Sequence, residues 1–148
     1  MLALTKKTGY ALVAMGYLAR QGEGDLASAR QIAGELDVPV ALLMNVLKEL
    51  AGAGYVESVR GARGGYRLAC DPEDVSLADV IAALEGPVRL SECMVGHAGK
   101  DGECSQSLMA SCQVGGPLHR VQRKLSDFLK RVSLAEIVKP TADLPRWR

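Results

Sequence analysis

The chain has 148 residues, of which 48% are hydrophobic and 24% charged, and its formal net charge at neutral pH is +1. This length and composition fit one domain with a real hydrophobic core, which excludes a chain that is disordered as a whole. The small net charge excludes a broadly cationic coat for nucleic acid, although eight basic against six acidic residues among the first 70 leave room for a small basic docking face.

Residues 4–20 predict a first helix that is apolar on most of its sides. Leu4, Leu12, Met15 and Tyr17 fall on more than one stripe of this helix, so it needs to be buried on several sides. Two interpretations are open: part of the helix packs on another subunit, or it is the central helix of a monomer.

The apolar run Tyr10–Ala19 resembles the core of a secretion signal, because Lys6 and Lys7 precede it. The run is short and interrupted by glycine, no convincing cleavage site precedes the turn at 21–25, and no later stretch approaches the length of a membrane span. We therefore expect a cytoplasmic protein with reduced thiols and no membrane partner.

The next segment has the pattern of two short helices joined by a tight turn. Ser28 and Gln31 have the spacing of a capping box, and Pro39 suits the first turn of a third helix. The buried stripe of that third helix comprises Val40, Leu43, Val46, Leu47 and Leu50. The pattern predicts a helix-turn-helix.

The opposite face of the third helix is only mildly polar. Asn45 suits an adenine edge and Lys48 suits a phosphate, whereas Leu42 and Met44 are poor readers of bases. A solvated face with no partner is the alternative for this helix alone.

Residues 55–69 predict two strands joined by the glycine-rich turn Gly61-Ala62-Arg63-Gly64-Gly65. Such a hairpin is a wing, with Arg60 and Arg63 at a tip whose glycines allow close approach to another surface, such as a narrow minor groove. Because the helix-turn-helix and the basic wing are consecutive, the sequence favours DNA binding.

After the wing, Ser76 and Asp79 repeat the capping-box spacing, and Gly86-Pro87 ends the short helix that they begin. Cys70, at the end of the second wing strand, is expected to be a buried or half-buried thiol and is not counted as a metal ligand.

Cys93, Cys104 and Cys112 lie in one glycine-rich segment without helical or strand periodicity. Three thiolates suit zinc, an iron–sulfur cluster or a redox switch rather than calcium or magnesium. No CxxC pair occurs, so an ordinary zinc knuckle is disfavoured and a fourth ligand has to come from elsewhere. Unrelated thiols or a disulfide are the alternative.

The last long segment predicts an amphipathic helix of about four turns. Its apolar stripe comprises Leu118, Val121, Leu125, Phe128, Leu129 and Val132. We interpret this stripe as a two-fold dimer contact, with an intrachain core contact as the alternative.

Taken together, the Leu-Thr-Lys run near the start, the wing motif SVRGARGGYRL, the segment EGPVRLSEC with two further cysteines and the closing VSLAEIV resemble the IscR/NsrR family of bacterial winged-helix regulators over nearly the full chain. The cysteine segment looks most like the branch that regulates iron–sulfur cluster assembly by the SUF system. The resemblance implies a homodimeric transcription factor on a palindromic double-stranded DNA operator. It also implies an iron–sulfur cluster on Cys93, Cys104 and Cys112, with [2Fe-2S] favoured and [4Fe-4S] as the alternative.

The resemblance does not transfer the fourth ligand. The family places a histidine three residues past the last cysteine, or an acidic residue near the N-terminus of the partner subunit, where this chain has Gly115 and Gly9. His97, inside the segment, is a weak candidate.

The predicted fold is mainly α: a winged helix-turn-helix with a β-hairpin wing plus a long C-terminal dimerisation helix. We divide the chain into a DNA-binding domain at 1–87, a cluster-binding loop at 88–115, a dimerisation helix with a short closing helix at 116–138, and a tail at 139–148. The candidate DNA-binding residues are Thr5, Lys6, Ser28, Arg30, Gln31, Pro39, Asn45, Lys48, Arg60, Gly61 and Arg63.

The function predicted from these features is transcriptional regulation that senses cluster, redox or iron status, with no enzymatic activity. A zinc-based or thiol-based regulator without a cluster explains the wing equally well. A small cluster-dependent redox protein is a weaker alternative, because it does not explain the wing.

Overall fold

A computed structural model of the chain describes residues 4–22, 24–90, 113 and 115–138. Within these ranges the elements are α1 (Lys6–Ala19), α2 (Ala29–Leu36), α3 (Val40–Gly52), β1 (Val56–Val59), β2 (Gly65–Leu68), α4 (Leu77–Glu85), α5 (Gly115–Arg131) and α6 (Leu134–Val138). The predicted mainly α class with one hairpin is confirmed. None of the helices in the described ranges is both long enough and apolar enough to cross a membrane.

Helix α1 lies at the centre of the head formed by α1–α4 and the hairpin, and it packs against α2, α3, α4, α6 and β2. Its Ala11, Ala14, Met15 and Leu18 belong to one hydrophobic core. The helix is therefore buried on several sides within a single chain, as a central helix is expected to be. Val13 remains 48% exposed, so the residues that the structure describes do not cover α1 completely.

The helix-turn-helix forms as its local signals predict, except that Val40, which was expected in the buried stripe of α3, is 39% exposed because it lies in the first turn, toward the outward side. The Ser28–Gln31 capping box starts α2, and Asp37 ends α2 in the left-handed conformation, with φ of 52°, which aspartate adopts more readily than most residues. Pro39 then caps α3. Buried Leu43 and Leu47 hold α3 against the core, so the opposite side of α3 faces outward.

The wing is a two-stranded antiparallel hairpin. Its register pairs Val56 with Leu68 and Val59 with Gly65. A second contact joins the hairpin to the segment before α2, where Ala27 and Tyr66 exchange two backbone hydrogen bonds of 3.0 and 2.8 Å. The wing is therefore attached through β2 to the start of the helix-turn-helix.

The end of α5 returns to the head, which the sequence did not predict. Leu77 donates its backbone N–H to the carbonyl of Val132 over 2.8 Å, and Leu134 donates to that of Val75 over 2.7 Å. Leu134 is fully buried in the same core as α1. The closing helix α6 is thus part of the head, although the domain division proposed from the sequence groups it with α5.

Close packing between α1 and α6 depends on a small residue. A Cβ atom at Gly16 would lie 3.3 Å from Cγ1 of Val138, which is tighter than an ordinary van der Waals contact. Glycine at this position lets the closing helix approach α1.

Glu85, the last residue of α4, joins α4 to the start of α1. Its carboxylate accepts hydrogen bonds from the Thr5 hydroxyl at 2.5 Å, from the Thr5 backbone N–H at 3.3 Å and from the Thr8 hydroxyl. The hydrogen bonds from Thr5 and Thr8 lower the pKa of Glu85. The carboxylate also lies at the positive end of α1, where a negative charge is favourable.

We expect Leu134→Ala to destabilise the protein by about 2–5 kcal/mol, because it removes a fully buried side chain and leaves a cavity. Urea unfolding followed by circular dichroism measures this change. Ile137→Ala on the same short helix is the matched control, since Ile137 is 37% exposed. Equal losses for the two variants would contradict a core role for α6.

Candidate nucleic-acid interface and the cysteine segment

The outward face of α3 carries the polar residues that the sequence predicted there. Asn45 and Lys48 are both exposed and lie opposite the buried Leu43, Val46 and Leu47. Their spacing of three residues places them on one helical face. This face can therefore meet a ligand without any change in the packing of α3.

Ser28 and Gln31 are partly committed to the start of α2. The Gln31 N–H donates to the Ser28 hydroxyl over 3.2 Å, and the Ser28 N–H donates to the Gln31 side-chain oxygen over 2.8 Å. Their first role is structural, because they satisfy backbone donors that the helix leaves open. Arg30 beside them is exposed, and its side chain takes no part in capping α2 among the described residues.

The wing tip depends on three glycines. Gly61 has φ of +126°, and a Cβ atom at Gly64 would lie 2.3 Å from the carbonyl oxygen of Val59. At Gly65 a Cβ atom would lie 2.8 Å from the carbonyl oxygen of Ala27. The turn therefore requires glycine for its own shape and for its contact with the segment before α2.

The arginines of the wing fall into two groups. Arg67 pairs with Glu57 across the hairpin at 2.8 Å, which raises the pKa of Arg67 through this hydrogen bond and charge contact. Arg60 and Arg63 are exposed at the tip, and neither forms an ion pair with any residue that the structure describes. Their charges are available to an anionic partner.

The two candidate residues near the start of α1 differ in their environment. The hydroxyl of Thr5 donates to Glu85, so its side chain positions the helix. Lys6 is exposed, whereas its neighbour Lys7 pairs with Glu49 of α3 at 2.9 Å. Of these three residues, Lys6 is the one whose side chain is open to a phosphate.

The predicted cluster ligands Cys93, Cys104 and Cys112, and the weak candidate His97, lie outside the described residues. In the parts of the chain that the structure does describe, no group of three or more histidine, cysteine or acidic side chains is arranged to hold a metal ion.

Cys70 is half-buried, as expected, and its thiol donates to the backbone carbonyl of Tyr55 over 3.5 Å. Burial raises the pKa of the Cys70 thiol, and nearby Asp71 and Asp74 raise it further. A raised pKa disfavours the thiolate, which is the form that acts as a nucleophile or a metal ligand. This environment fits its exclusion from the ligand set.

Gln122 of α5 holds the segment that leads into the cysteines. Its side-chain oxygen accepts from the Leu90 N–H over 2.8 Å, and its side-chain nitrogen donates to the Val88 carbonyl over 2.7 Å and to the Ser126 hydroxyl over 3.1 Å. An amide can satisfy a backbone donor and acceptor together. The sequence analysis missed this role; the available signal was a glutamine within the apolar stripe of α5.

The apolar stripe of α5 is divided between two environments. Leu118, Leu125, Leu129 and Val132 are half-buried, and α5 lies against α4. Val121 and Phe128 are 53% and 61% exposed. One flank therefore packs within the chain, and the other flank is open in a single protomer.

The family model described as Rrf2, iron-dependent transcriptional regulator, matches residues 4–140. Among curated proteins, the HTH-type transcriptional regulator NsrR of Bacillus subtilis (strain 168) is 30% identical over 146 residues, covering 97% of this chain and 94% of that protein. The HTH-type transcriptional regulator IscR of Vibrio campbellii is 30% identical over 138 residues, covering 93% and 78%.

Two solved structures have a similar fold. The global cysteine regulator CymR of B. subtilis matches with a TM-score of 0.71 at 27% identity, covering 95% of this chain and 99% of that one. IscR of T. potens matches with a TM-score of 0.65 at 28% identity, covering 93% and 87%. The resemblance to winged-helix regulators that the wing and cysteine motifs predicted is confirmed.

We expect Arg60→Ala and Arg63→Ala each to weaken DNA binding by about 1–3 kcal/mol, because each removes an unpaired cation from the wing tip. Fluorescence anisotropy with a duplex selected by the protein measures the loss. Arg20→Ala, which removes an exposed arginine at the end of α1, is the control for net charge. Unchanged affinity in the double variant would show that the wing does not contact DNA.

Proposed function

Because the chain belongs to the Rrf2 family of iron-dependent transcriptional regulators, we propose that it is a dimeric regulator whose DNA affinity is set by an iron–sulfur cluster. The cluster is held by Cys93, Cys104 and Cys112 and is of the [2Fe-2S] type, with [4Fe-4S] as the alternative. The observation that carries the proposal is the juxtaposition of an outward-facing α3 with a glycine-built wing whose Arg60 and Arg63 are unpaired among the described residues.

DNA recognition by this head uses two elements. Helix α3 enters the major groove with Asn45 and Lys48, and the wing brings Arg60 and Arg63 to the neighbouring minor groove. The exposed Lys6 and Arg30 contribute charge toward the phosphates. Two such heads related by a two-fold axis read a palindromic operator.

The donor set favours a cluster. Three thiolates are the ligand type that iron–sulfur clusters use. Cys70 is disfavoured as a fourth, because it is half-buried at the end of the wing, where its thiol donates to the carbonyl of Tyr55. When bound, the cluster supplies a group that responds to iron, oxygen or redox state. The fourth ligand is weak, replaceable or supplied from the other subunit. A weak fourth ligand suits a sensor better than an electron carrier.

Transmission from the cysteines to the heads uses α5. The segment that contains the three cysteines begins next to Leu90, which Gln122 holds, and it is followed by α5 from Gly115. Both ends of this segment are therefore connected to the same helix. A change at the cysteines acts first on α5, and a bistable position of α5 relative to its partner copy couples it to DNA binding.

A regulator that uses the thiols without a cluster is the second candidate. The similarity to the global cysteine regulator CymR of B. subtilis favours it, because the winged fold is shared by a protein named for cysteine rather than iron. The relatives are named as transcriptional regulators. The comparison therefore favours a regulator, with or without a cluster, over a small cluster-dependent redox protein.

We expect Cys93→Ala, Cys104→Ala and Cys112→Ala each to abolish the visible absorbance of anaerobically purified protein, because each removes a cluster ligand. His97→Ala shifts the spectrum at most, and Cys70→Ala is the matched control that retains it. Iron and sulfide counts accompany the spectra, and the same samples are titrated with DNA.

A colourless wild-type protein that still binds DNA in a thiol-dependent manner would favour the cluster-free regulator. Full iron content in Cys104→Ala would overturn the three-cysteine ligand set.

The dimer contact is proposed on the open flank of α5. Val121 and Phe128 are seven residues apart in the sequence, about two helical turns, and so lie on one side of the helix. Burying two such side chains against a second copy is favourable by roughly 25 cal/mol per Å² of apolar surface. Next to this flank on the same stripe are four half-buried residues: Leu118, Leu125, Leu129 and Val132.

We expect Phe128→Asp to give a monomer, because a two-fold axis brings the two introduced carboxylates into one apolar contact. Phe128 is 61% exposed in a single chain, so the substitution spares the fold more than one at Leu125. Analytical ultracentrifugation measures the change. Arg123→Asp, on the charged side of α5, is the control and remains dimeric; a dimeric Phe128→Asp would place the contact elsewhere.

A further inference from the structure

The outward surface of α3 is more apolar than its predicted role in hydrogen bonding requires. Val40, Leu42 and Met44 are 39%, 48% and 49% exposed. These three side chains are not part of the hydrophobic core, because the buried side of the same helix is formed by Leu43, Val46, Leu47 and Leu50. Three large apolar side chains are thus exposed within five residues of one helix, whereas exposed apolar side chains usually occur singly on a protein surface.

The arrangement of these side chains follows from helix geometry. Ala41, Asn45 and Lys48 share the face directly opposite the core. Each residue advances about 100° around the axis. Leu42 and Met44 therefore lie on the two flanks of this face, on either side of Asn45.

Few groups on this surface can read a base edge by hydrogen bonding. In the first two turns of α3, from Val40 to Leu47, Asn45 has the only polar side chain. A helix placed in the major groove contacts base edges mainly through its N-terminal part. The one apolar group that bases present in that groove is the methyl group of thymine.

The sequence alone made Leu42 and Met44 poor readers of bases, because neither side chain hydrogen-bonds to a base edge. We propose that they are nevertheless specificity-determining residues, which recognise thymine methyl groups in the operator half-site by apolar contact. Lys48 lies on the same outward face of α3, and the exposed Arg60 and Arg63 belong to the hairpin whose first strand packs against α3. A nucleic acid therefore matches this surface better than an apolar protein partner does. The adenine that Asn45 recognises is paired with a thymine, and the methyl group of that thymine lies in the same groove, within reach of Leu42 or Met44. The proposal rests on DNA binding through α3 and adds the chemistry of the half-site.

Uracil in place of thymine tests the proposal, because it removes the methyl group and keeps the hydrogen-bonding edge. The full-length protein, purified anaerobically, selects duplexes from a random library, and each thymine of the selected half-site is then replaced singly by uracil. We expect about a fourfold loss of affinity at each contacted thymine, which corresponds to one buried methyl-sized group.

Leu42→Ala and Met44→Ala identify the readers. Each is expected to remove the thymine–uracil difference at its own position and to leave the others unchanged. Lys48→Ala is the matched control on the same helix, and it weakens binding to both duplexes by the same factor. Sedimentation of the variants tests whether this surface instead contacts a second copy of the chain.

Three outcomes overturn the proposal. Equal affinity of the wild-type protein for thymine and uracil at every position removes methyl recognition and leaves DNA binding intact. A change of oligomeric state in Leu42→Ala or Met44→Ala, with the thymine–uracil difference retained, assigns the surface to protein contact. Failure of the protein to select any duplex removes both this proposal and the DNA-binding function on which it rests.

Discussion

The return of the chain after α5 is the constraint on which the arrangement of this molecule depends. Backbone hydrogen bonds join Val132 to Leu77 and Leu134 to Val75, and Leu134 fills the core beneath α1. Without this attachment, α5 would be held to the head mainly by its packing against α4 and by the hydrogen bonds of Gln122 to Val88 and Leu90. With this attachment, the C-terminal end of α5 is fixed at the N-terminus of α4. The remaining contacts of α5 with α4 and with Val88 and Leu90 then determine its direction.

Features that depend on neighbouring residues could be predicted from the sequence. The capping boxes of Ser28 with Gln31 and of Ser76 with Asp79 are both present, because each needs only residues three apart. Gly61 and Gly64 of the wing are also local, since the turn itself requires them, whereas Gly65 is required by the approach of the distant Ala27. The same reasoning gave the exposed Asn45, Lys48, Arg60 and Arg63.

Contacts between residues distant in sequence could not be predicted in this way. Glu85 binds Thr5 and Thr8 from 80 and 77 residues away, and Gln122 binds Val88 from 34 residues away. Nothing in the periodicity of either segment specifies the partner, because each contact arises only after the helices have packed. The same limit applies to a ligand set, since the number of thiols follows from composition whereas their meeting point depends on tertiary structure.

The paired hydrogen bonds between Ala27 and Tyr66 have a consequence for how this regulator meets DNA. They join the hairpin to the residue just before the Ser28 cap, and Gly65 permits no larger side chain at that junction. Together with the packing of β1 against α3, these hydrogen bonds fix the position of the hairpin relative to the helix-turn-helix. In a dimer of the proposed kind, a change in the distance between the operator halves has to be accommodated at the subunit contact, because the hairpin and the helix-turn-helix keep a fixed spacing within each head.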